Sequence, residues 1–199
     1  PNINVNTLDK IATGKKTDKF GISIDQINNN ILEIKNYKFL NIKGISCHVG
    51  SQIKDLKIFE KVFSIMKKTA DEFISLGIEI EHVDLGGGFG VNYESDLDSL
   101  DLKSIGKLIK SIFHQNSYKI SFEPGRYLVA RSGVIITKIL TSKKNGGINF
   151  LITDAGMQTF IRPAMYEAFH RIQAFNNLEQ KDVNYTIAGP ICESSDIIA

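Results

Sequence analysis

Residues 81–90 read EHVDLGGGFG, an apolar run that ends in three consecutive glycines. Such glycines leave the backbone bare, so its N–H groups can face an anion such as phosphate, although a sharp turn needed only for packing would use the same residues. The stretch is not the GxGxxG of a nucleotide-binding unit, and no acidic residue follows about twenty positions later on a strand end. It predicts a strand followed by a loop that binds an anion or packs closely.

Around this stretch, short apolar runs alternate with segments of helical period. The runs predicted to be buried strands are Phe20–Ser23, Gly44–Val49, Glu81–Leu85 and Lys119–Phe122. An apolar helical face repeats over 58–74 and should end at Gly77, a second helix is predicted over 97–112, and a weaker one follows Asp25. The alternation favours an α/β fold with a parallel sheet, about four units long, which is half of a (β/α)8 barrel. A doubly wound open sheet is the alternative.

The pattern changes after Arg126. The later runs alternate or are β-branched, and they comprise Val129–Leu140, Phe150–Thr153, Tyr166–Phe175 and Val183–Ala188. Lys143–Gly147 is typical of a hairpin turn. We therefore expect residues 1–127 to form the C-terminal half of a (β/α)8 barrel and residues 128–199 to begin a mostly-β C-terminal domain.

Charge and cysteine content exclude several classes of function. The 199 residues carry 24 Lys and Arg against 22 Asp and Glu, a net charge of +2, so electrostatics argues neither for nucleic acid nor for an anionic membrane. No apolar run approaches the ~20 residues of a membrane span. The two cysteines, Cys47 and Cys192, are too few for a disulfide scaffold and lack metal-ligand spacing. We expect a cytoplasmic protein without a metal site.

Polar and glycine-rich clusters stand where predicted strands end. They are TGK at 13–15, HVGSQ at 48–52, DLGGGFG at 84–90, EPGR at 123–126, RPAMY at 162–166 and GPICESSD at 189–196. A neutral His48 could stack on an aromatic ligand or move a proton, although such histidines are more often structural. Glu123 could keep a ring nitrogen protonated and Arg126 could hold an anion, or the two could form an ion pair that stiffens the turn.

Two clusters in the later half suit a charged substrate. Arg162 and Tyr166 could recognise a carboxylate, although an exposed arginine is usually only solvated. Cys192 beside Glu193 places a proton donor next to a cation binder. Cys47 is predicted to be a small buried hydrophobe. The remaining histidines are given structural roles, and these are His82, His114 and His170.

The order of these clusters resembles that in one family. HVGSQ, VDLGGGFG, EPGR, DAG with RPAMYEA, and GPICESSD run in the same order and at similar spacings in diaminopimelate decarboxylases, and IATGKKTDKFGI is similar to that family's TG…KFG segment. The resemblance covers nearly the whole chain. It implies the alanine-racemase-like fold, a (β/α)8 barrel plus a β-domain. It also implies the decarboxylation of meso-2,6-diaminopimelate to L-lysine with pyridoxal phosphate, the last step of lysine biosynthesis.

The resemblance also implies roles for individual residues. The implied cofactor-binding residues are His48, Ser51, Gly86, Gly87, Gly88, Glu123, Pro124, Gly125 and Arg126. Among them, His48 would pack against the pyridine ring and Glu123 would keep its nitrogen protonated. The implied substrate-binding residues are Arg126, Arg162 and Tyr166 for the distal carboxylate and Glu193 for the distal ammonium. Cys192 would return the proton, and both Cys192 and His48 would be catalytic.

The chain departs from the family in what it lacks. The Schiff-base lysine of the family lies on the first barrel strand in a Tyr-Ala-x-Lys-Ala-Asn-like setting, and Lys15, Lys16 and Lys19 stand in another context. The family's C-terminal Gly-Ala-Tyr segment is also absent. We therefore expect a fragment of an enzyme of about twice this length, inactive alone. Because the Cys-Glu loop of the family reaches the partner's active site, a homodimer is implied.

Three other functions are weighed against this one. A related decarboxylase acting on ornithine, arginine or carboxynorspermidine would share His48, the glycines, Glu123 and Arg126. The RPAMY and CESSD clusters argue against it, because a substrate without a second carboxylate does not need Arg126, Arg162 and Tyr166 together. A non-catalytic regulator would keep the fold without the lysine. A barrel glycosidase needs paired strand-end carboxylates, and Glu123 has only Asp84 as a candidate partner.

Overall fold

The computed structural model describes residue 3 and residues 19–93, 100–175 and 183–199. The predicted cluster at 13–15, Lys16, and the start of the second predicted helix at Leu97 lie outside the described residues. The first elements are α1 (Ile24–Lys35), β1 (Gly44–Ser46), α2 (Leu56–Ser75), β2 (His82–Asp84), α3 (Leu102–Ile112), β3 (Lys119–Ser121) and α4 (Gly125–Val129). They are followed by β4 (Ile139–Asn145), β5 (Ile148–Thr153), α5 (Arg162–Tyr166) and β6 (Thr186–Ala188).

The chain divides into two compact units. The first contains the described residues of 1–92 and 97–130, and the second contains those of 93–96 and 131–199. Within the described residues, no helix is long and apolar enough to cross a membrane. The predicted assignment of 1–127 and 128–199 to a half-barrel and a β-domain stays a prediction.

The first unit is built on a parallel sheet, as the alternation of strands and helices predicted. Its strand order is β1-β2-β3, with both pairs parallel. Val83 lies opposite Ile45 on one side and Ile120 on the other, and its side chain is fully buried. An α/β fold follows, and all three strands end at the same edge of the sheet.

Helix α2 supplies most of the core of this unit. Its apolar face recurs at three- and four-residue steps, and the buried side chains are Phe59, Val62, Phe63, Met66, Thr69, Ala70 and Phe73. Asp55 caps its start by accepting from the backbone N–H of Lys57 at 2.9 Å. Gly77 follows its end with φ 77°, a left-handed conformation that glycine adopts without strain, as predicted.

Two predicted strands are wrong, and the predicted strand Val129–Leu140 is wrong over most of its length, because Val129 ends α4 and β4 begins only at Ile139. The segment Phe20–Ser23 leads into α1, because Gly21 has φ 72° and Ser23 caps the helix in a capping box with Gln26. Tyr166–Phe175 forms no strand either, since α5 ends at Tyr166 and Glu167 turns the chain with φ 52°. In both cases a local cap or turn decides the backbone conformation.

The second unit contains the predicted hairpin. Strands β4 and β5 pair antiparallel across Gly146 and Gly147, which have φ 55° and 86°. The strand β4 continues through Asn145, so Lys143 and Lys144 belong to the strand and the glycines alone make the turn. Strand β6 then pairs parallel with β5.

Candidate active site

Three loops meet at the carboxyl ends of the parallel strands. The glycine loop after β2 lies between the other two and is hydrogen-bonded to both. The backbone N–H of Glu123, after β3, donates to Gly86 O at 2.8 Å. The backbone N–H of Ile53, after β1, donates to Gly88 O at 2.8 Å, and Gly90 N–H donates back to Ile53 O at 2.9 Å. In parallel α/β folds this edge of the sheet is where ligands bind.

The three consecutive glycines are required by this convergence. A Cβ atom at Gly86 would overlap the carbonyl oxygen of Cys47, and one at Gly87 would overlap that of Glu123. A Cβ atom at Gly88 would overlap the carbonyl oxygen of Gly50. Close packing of the three backbones therefore accounts for the glycines. The packing fills the places of their Cβ atoms and not those of their N–H groups, so it is compatible with binding of an anion as well.

The glycine loop also carries backbone donors that could hold an anion. Among the described residues, nothing accepts a hydrogen bond from the N–H groups of Gly87 and Gly88. Consecutive N–H groups of this kind form a concave positive surface that suits phosphate oxygens. The loop is anchored from below by Phe89, whose ring lies 5.3 Å from that of Phe59 and 5.8 Å from that of Phe122, centre to centre.

Asp84 fixes the start of the glycine loop, a role that the sequence analysis did not assign to it. Its Oδ1 accepts from the backbone N–H of Gly86 at 2.7 Å, and its Oδ2 accepts from the Ser121 hydroxyl at 2.6 Å. The Ser121 oxygen lies 2.6 Å from Nε2 of His82. Asp-x-Gly after a strand is typical of a turn in which the side chain accepts from the backbone two residues on, so the first contact had a sequence signal.

The other predicted site residues of the first unit lie after β1 and after β3, before and after the glycine loop in the chain. His48 and Glu123 are exposed, whereas Ser51 and Arg126 are half-buried. Arg126 lies in α4, which begins at Gly125 directly after Pro124. The structure therefore brings the predicted residues of HVGSQ, GGG and EPGR onto three adjacent loops, although their roles stay predictions.

The thiol of Cys47, at the end of β1, is made unreactive by its surroundings. Burial, followed by the negative charges of Asp84 and Glu123, raises the pKa of the Cys47 thiol to about 12. Its side chain is buried, as predicted, so Cys47 is part of the core and not a nucleophile.

In the second unit, Arg162 is held in an aromatic setting. Its guanidinium lies over the ring of Tyr166, 5.7 Å from the ring centre. Its Nε donates to Nε2 of His170 at 3.4 Å, and the His170 ring packs against Phe160 and Tyr93 at 4.6 and 5.0 Å. Sequence reasoning gave His170 no role in the site, because it lies eight positions after Arg162, beyond the end of α5, and no periodicity connects the two.

Cys192 and Glu193 lie in an exposed turn after β6. The thiol of Cys192 is free and exposed. The turn is closed by hydrogen bonds from Glu193 N to Ile191 O at 2.8 Å and from Asp196 N to Glu193 O at 3.0 Å. The Glu193 carboxylate accepts weakly from the backbone N–H and hydroxyl of Ser195, at 3.4 and 3.3 Å. Of the described residues, no group of three or more His, Cys, Asp and Glu side chains could hold a metal ion.

Comparison with known proteins gives one consistent set of relatives. Residues 1–130 match the family described as pyridoxal-dependent decarboxylase, pyridoxal binding domain. The chain is 36% identical over 200 residues to the diaminopimelate decarboxylase of Zymomonas mobilis, covering 100% of this chain and 47% of that protein. It is 36% identical over 199 residues to that of Campylobacter jejuni, covering 100% and 49%. The chain thus spans about half the length of the curated relatives it matches.

Solved structures agree with the sequence comparison. The diaminopimelate decarboxylase of Helicobacter pylori complexed with L-lysine matches with a TM-score of 0.92 and 36% identity, covering 100% of this chain and 49% of that one. The arginine decarboxylase of Paramecium bursaria Chlorella virus matches with a TM-score of 0.79 and 23% identity, covering 90% and 49%, which shows a shared fold alone.

Proposed function

Because this chain belongs to the pyridoxal-dependent decarboxylases, we propose that the full-length protein converts meso-2,6-diaminopimelate to L-lysine and CO2 with pyridoxal phosphate. The observation that carries the proposal is the convergence of three loops at the carboxyl ends of β1, β2 and β3, where, among the described residues, the N–H groups of Gly87 and Gly88 have no acceptor. The choice of substrate is supported by relatives that are diaminopimelate decarboxylases, one of them solved with L-lysine.

The residues of the first unit fit this cofactor. The glycine loop suits its phosphate, with Ser51 and the turn Pro124–Arg126 completing that side of the site. The exposed carboxylate of Glu123 suits a ring nitrogen that must stay protonated, and His48 suits the face of the ring. When bound, pyridoxal phosphate supplies a cationic ring that takes up the electron pair released as the carboxylate leaves.

Cys192, Glu193, Arg162 and Tyr166 of the second unit suit the substrate, as does Arg126 of the first. The bond between Cα and its carboxylate breaks, CO2 leaves, and a proton must be added to Cα. Cys192 has an exposed thiol able to donate that proton. Arg162, together with Tyr166 and Arg126, would hold the distal carboxylate, and Glu193 would hold the distal ammonium. Only a substrate that carries both a carboxylate and an ammonium group at its far end would use both the arginines and Glu193.

We also propose the finer architecture that the resemblance implies. The three parallel strands would form part of a (β/α)8 barrel whose remaining strands lie in the other half of the full-length protein. The polar face of β2 and β3, with Asp84, Ser121 and His82 linked by hydrogen bonds, suits the interior of such a barrel. A cytoplasmic homodimer with shared active sites completes the proposal.

The test is a substrate competition with the full-length protein and added pyridoxal phosphate. We expect CO2 release from meso-diaminopimelate and formation of L-lysine, with little release from L-ornithine or L-arginine. Release from ornithine or arginine alone would identify a related decarboxylase. Cofactor binding without CO2 release from any of the three would support the non-catalytic regulator.

A further inference from the structure

We propose that Asp196 is a positioning residue for the Cys192–Glu193 turn. The inference rests on the proposed function for its catalytic meaning, but its geometry stands separately. Asp196 is 3% exposed, whereas Cys192, Glu193 and the adjacent Ser195 are exposed. A carboxylate buried under an exposed turn loses solvation, so it must be compensated by hydrogen bonds.

Both oxygens of this carboxylate accept from backbone N–H groups. Oδ2 accepts from Ile191 N at 2.8 Å, and Ile191 directly precedes Cys192. Oδ1 accepts from Met157 N at 2.5 Å, in the loop after β5. One side chain therefore joins the turn that carries the thiol to a loop 39 residues away in sequence.

The backbone of Asp196 closes the same turn. Its N–H donates to Glu193 O at 3.0 Å, and its carbonyl accepts from Gly189 N at 3.0 Å. The segment from Gly189 to Asp196 is therefore held at both ends by one residue. Cys192 and Glu193 lie between these ends, so their backbone positions depend on it.

Two glycines make room for the carboxylate. A Cβ atom at Gly156 or at Gly189 would overlap the carboxylate oxygens of Asp196. Both loops thus lack side chains where they face Asp196, and the cavity fits a carboxylate held by backbone donors. This arrangement points to fixed placement of the turn rather than to a contact with substrate.

The variant Asp196→Asn tests the inference in the full-length holoenzyme. Since each oxygen accepts from a different loop, the amide must turn its NH₂ group toward one of the two N–H groups and release that loop. We expect the alkylation rate of Cys192, followed by peptide mass spectrometry without substrate, to change by about tenfold. We expect kcat to fall by about 10- to 100-fold with cofactor occupancy unchanged, the scale for a small misplacement of a reacting group.

Asp154→Asn is the matched control. Asp154 is likewise a carboxylate that accepts from a neighbouring segment, from the Thr137 hydroxyl and the Lys138 N–H, but among the described residues none of its hydrogen bonds reaches the Cys192 turn. Its variant should lower the melting temperature while leaving the alkylation rate of Cys192 within about twofold of the parent. Equal Cys192 reactivity in the parent and in Asp196→Asn would overturn the inference, even if stability falls.

If Asp196→Asn does not fold, hydrogen exchange of the unsubstituted protein tests the same hydrogen bonds. The amide hydrogens of Ile191 and Met157 should exchange slowly, as hydrogen-bonded groups do. Exchange of Ile191 at the rate of an unstructured peptide would overturn the inference. Neither the alkylation of Cys192 nor the hydrogen exchange uses a substrate. Failure of the inference about Asp196 and failure of the proposed function can therefore be told apart.

Discussion

The side-chain amide of Gln52 pairs with the backbone of Val91 in both directions. Gln52 Oε1 accepts from Val91 N at 2.9 Å, and Gln52 Nε2 donates to Val91 O at 3.1 Å. These two hydrogen bonds lie next to the isolated β-bridge between Ile53 and Phe89. The Gln52 side chain bonds to Val91 as the backbone of a neighbouring strand would. Gln52 has φ 63°, a left-handed conformation unusual for a residue other than glycine. The loop after β1 is thereby fastened to the far end of the glycine loop.

Gln52→Glu should therefore destabilise the first unit. A carboxylate still accepts from Val91 N, but it cannot donate to Val91 O, and the two oxygens repel. We expect a loss of about 1–3 kcal/mol in the free energy of unfolding, measured by urea titration of the full-length protein. Gln26→Glu is the control, because Gln26 accepts from Ser23 N in a capping box where Glu serves equally well. Equal urea midpoints for Gln52→Glu and Gln26→Glu would contradict a stabilising role of the Gln52–Val91 pair.

Gly87→Ala should separate the glycine and EPGR loops. Since the new Cβ atom would overlap the carbonyl of Glu123, one backbone must move, at a cost of about 3 kcal/mol. Affinity for pyridoxal phosphate should fall with it, measured by fluorescence titration. Gly106→Ala is the matched control in helix α3, where a Cβ atom meets nothing within 4 Å, and it should stabilise by about 0.5–1 kcal/mol. An unchanged melting temperature for Gly87→Ala would contradict the close approach of the loops.

Local pattern was enough to predict the frame of the first unit. The apolar face of α2 and the stop at Gly77 follow from periodicity and from one backbone conformation, and both were confirmed. The runs around Val83 correctly predicted parallel strands, although each strand is shorter than its apolar run. Phe20–Ser23 was misassigned because a capping box and an apolar run overlap there, and the cap decides the conformation.

Contacts between distant segments could not be predicted from single residues. The hydroxyl of Ser121 that binds Asp84 is 37 residues away, and the Met157 N–H that binds Asp196 is 39 residues away. Met157 does not stand out in sequence because it donates through its backbone N–H, which every residue except proline has. Ser121 does not stand out because a single serine on a strand has no sequence feature that identifies the partner of its hydroxyl. Reasoning from clusters thus proposed residues for cofactor and substrate, whose roles stay predictions, and it missed the contacts that hold the loops in place.

The two thiols should differ in their reactivity toward an alkylating agent, because Cys47 is buried and Cys192 is exposed. The pKa of Cys47 is raised to about 12 in the folded protein, chiefly by burial, whereas an unfolded thiol ionises near 8.5. At pH 8–10 we expect iodoacetamide to label Cys192 and to spare Cys47, and labelling in denaturing urea should reach both. Because the folded pKa is raised, the thiol's contribution to stability is present below about pH 8.5 and is lost as pH rises toward 12. Equal labelling of both thiols in the native protein at pH 8 would contradict this burial.

Arg162→Ala should remove most of the preference for a dicarboxylate substrate. The guanidinium is held by Tyr166 and His170, so its position is set before the substrate arrives. A hydrogen bond to a charged group contributes about 1.5–3 kcal/mol, which corresponds to roughly 10- to 150-fold in kcat/KM for meso-diaminopimelate. Activity toward L-lysine or L-ornithine, which lack the distal carboxylate, should change little. Lys144→Ala removes a positive charge from the exposed strand β4 of the same unit and should leave all of these rates unchanged. A uniform fall in kcat/KM for every substrate in Arg162→Ala would mean that Arg162 supports the fold and does not read the far end of the substrate.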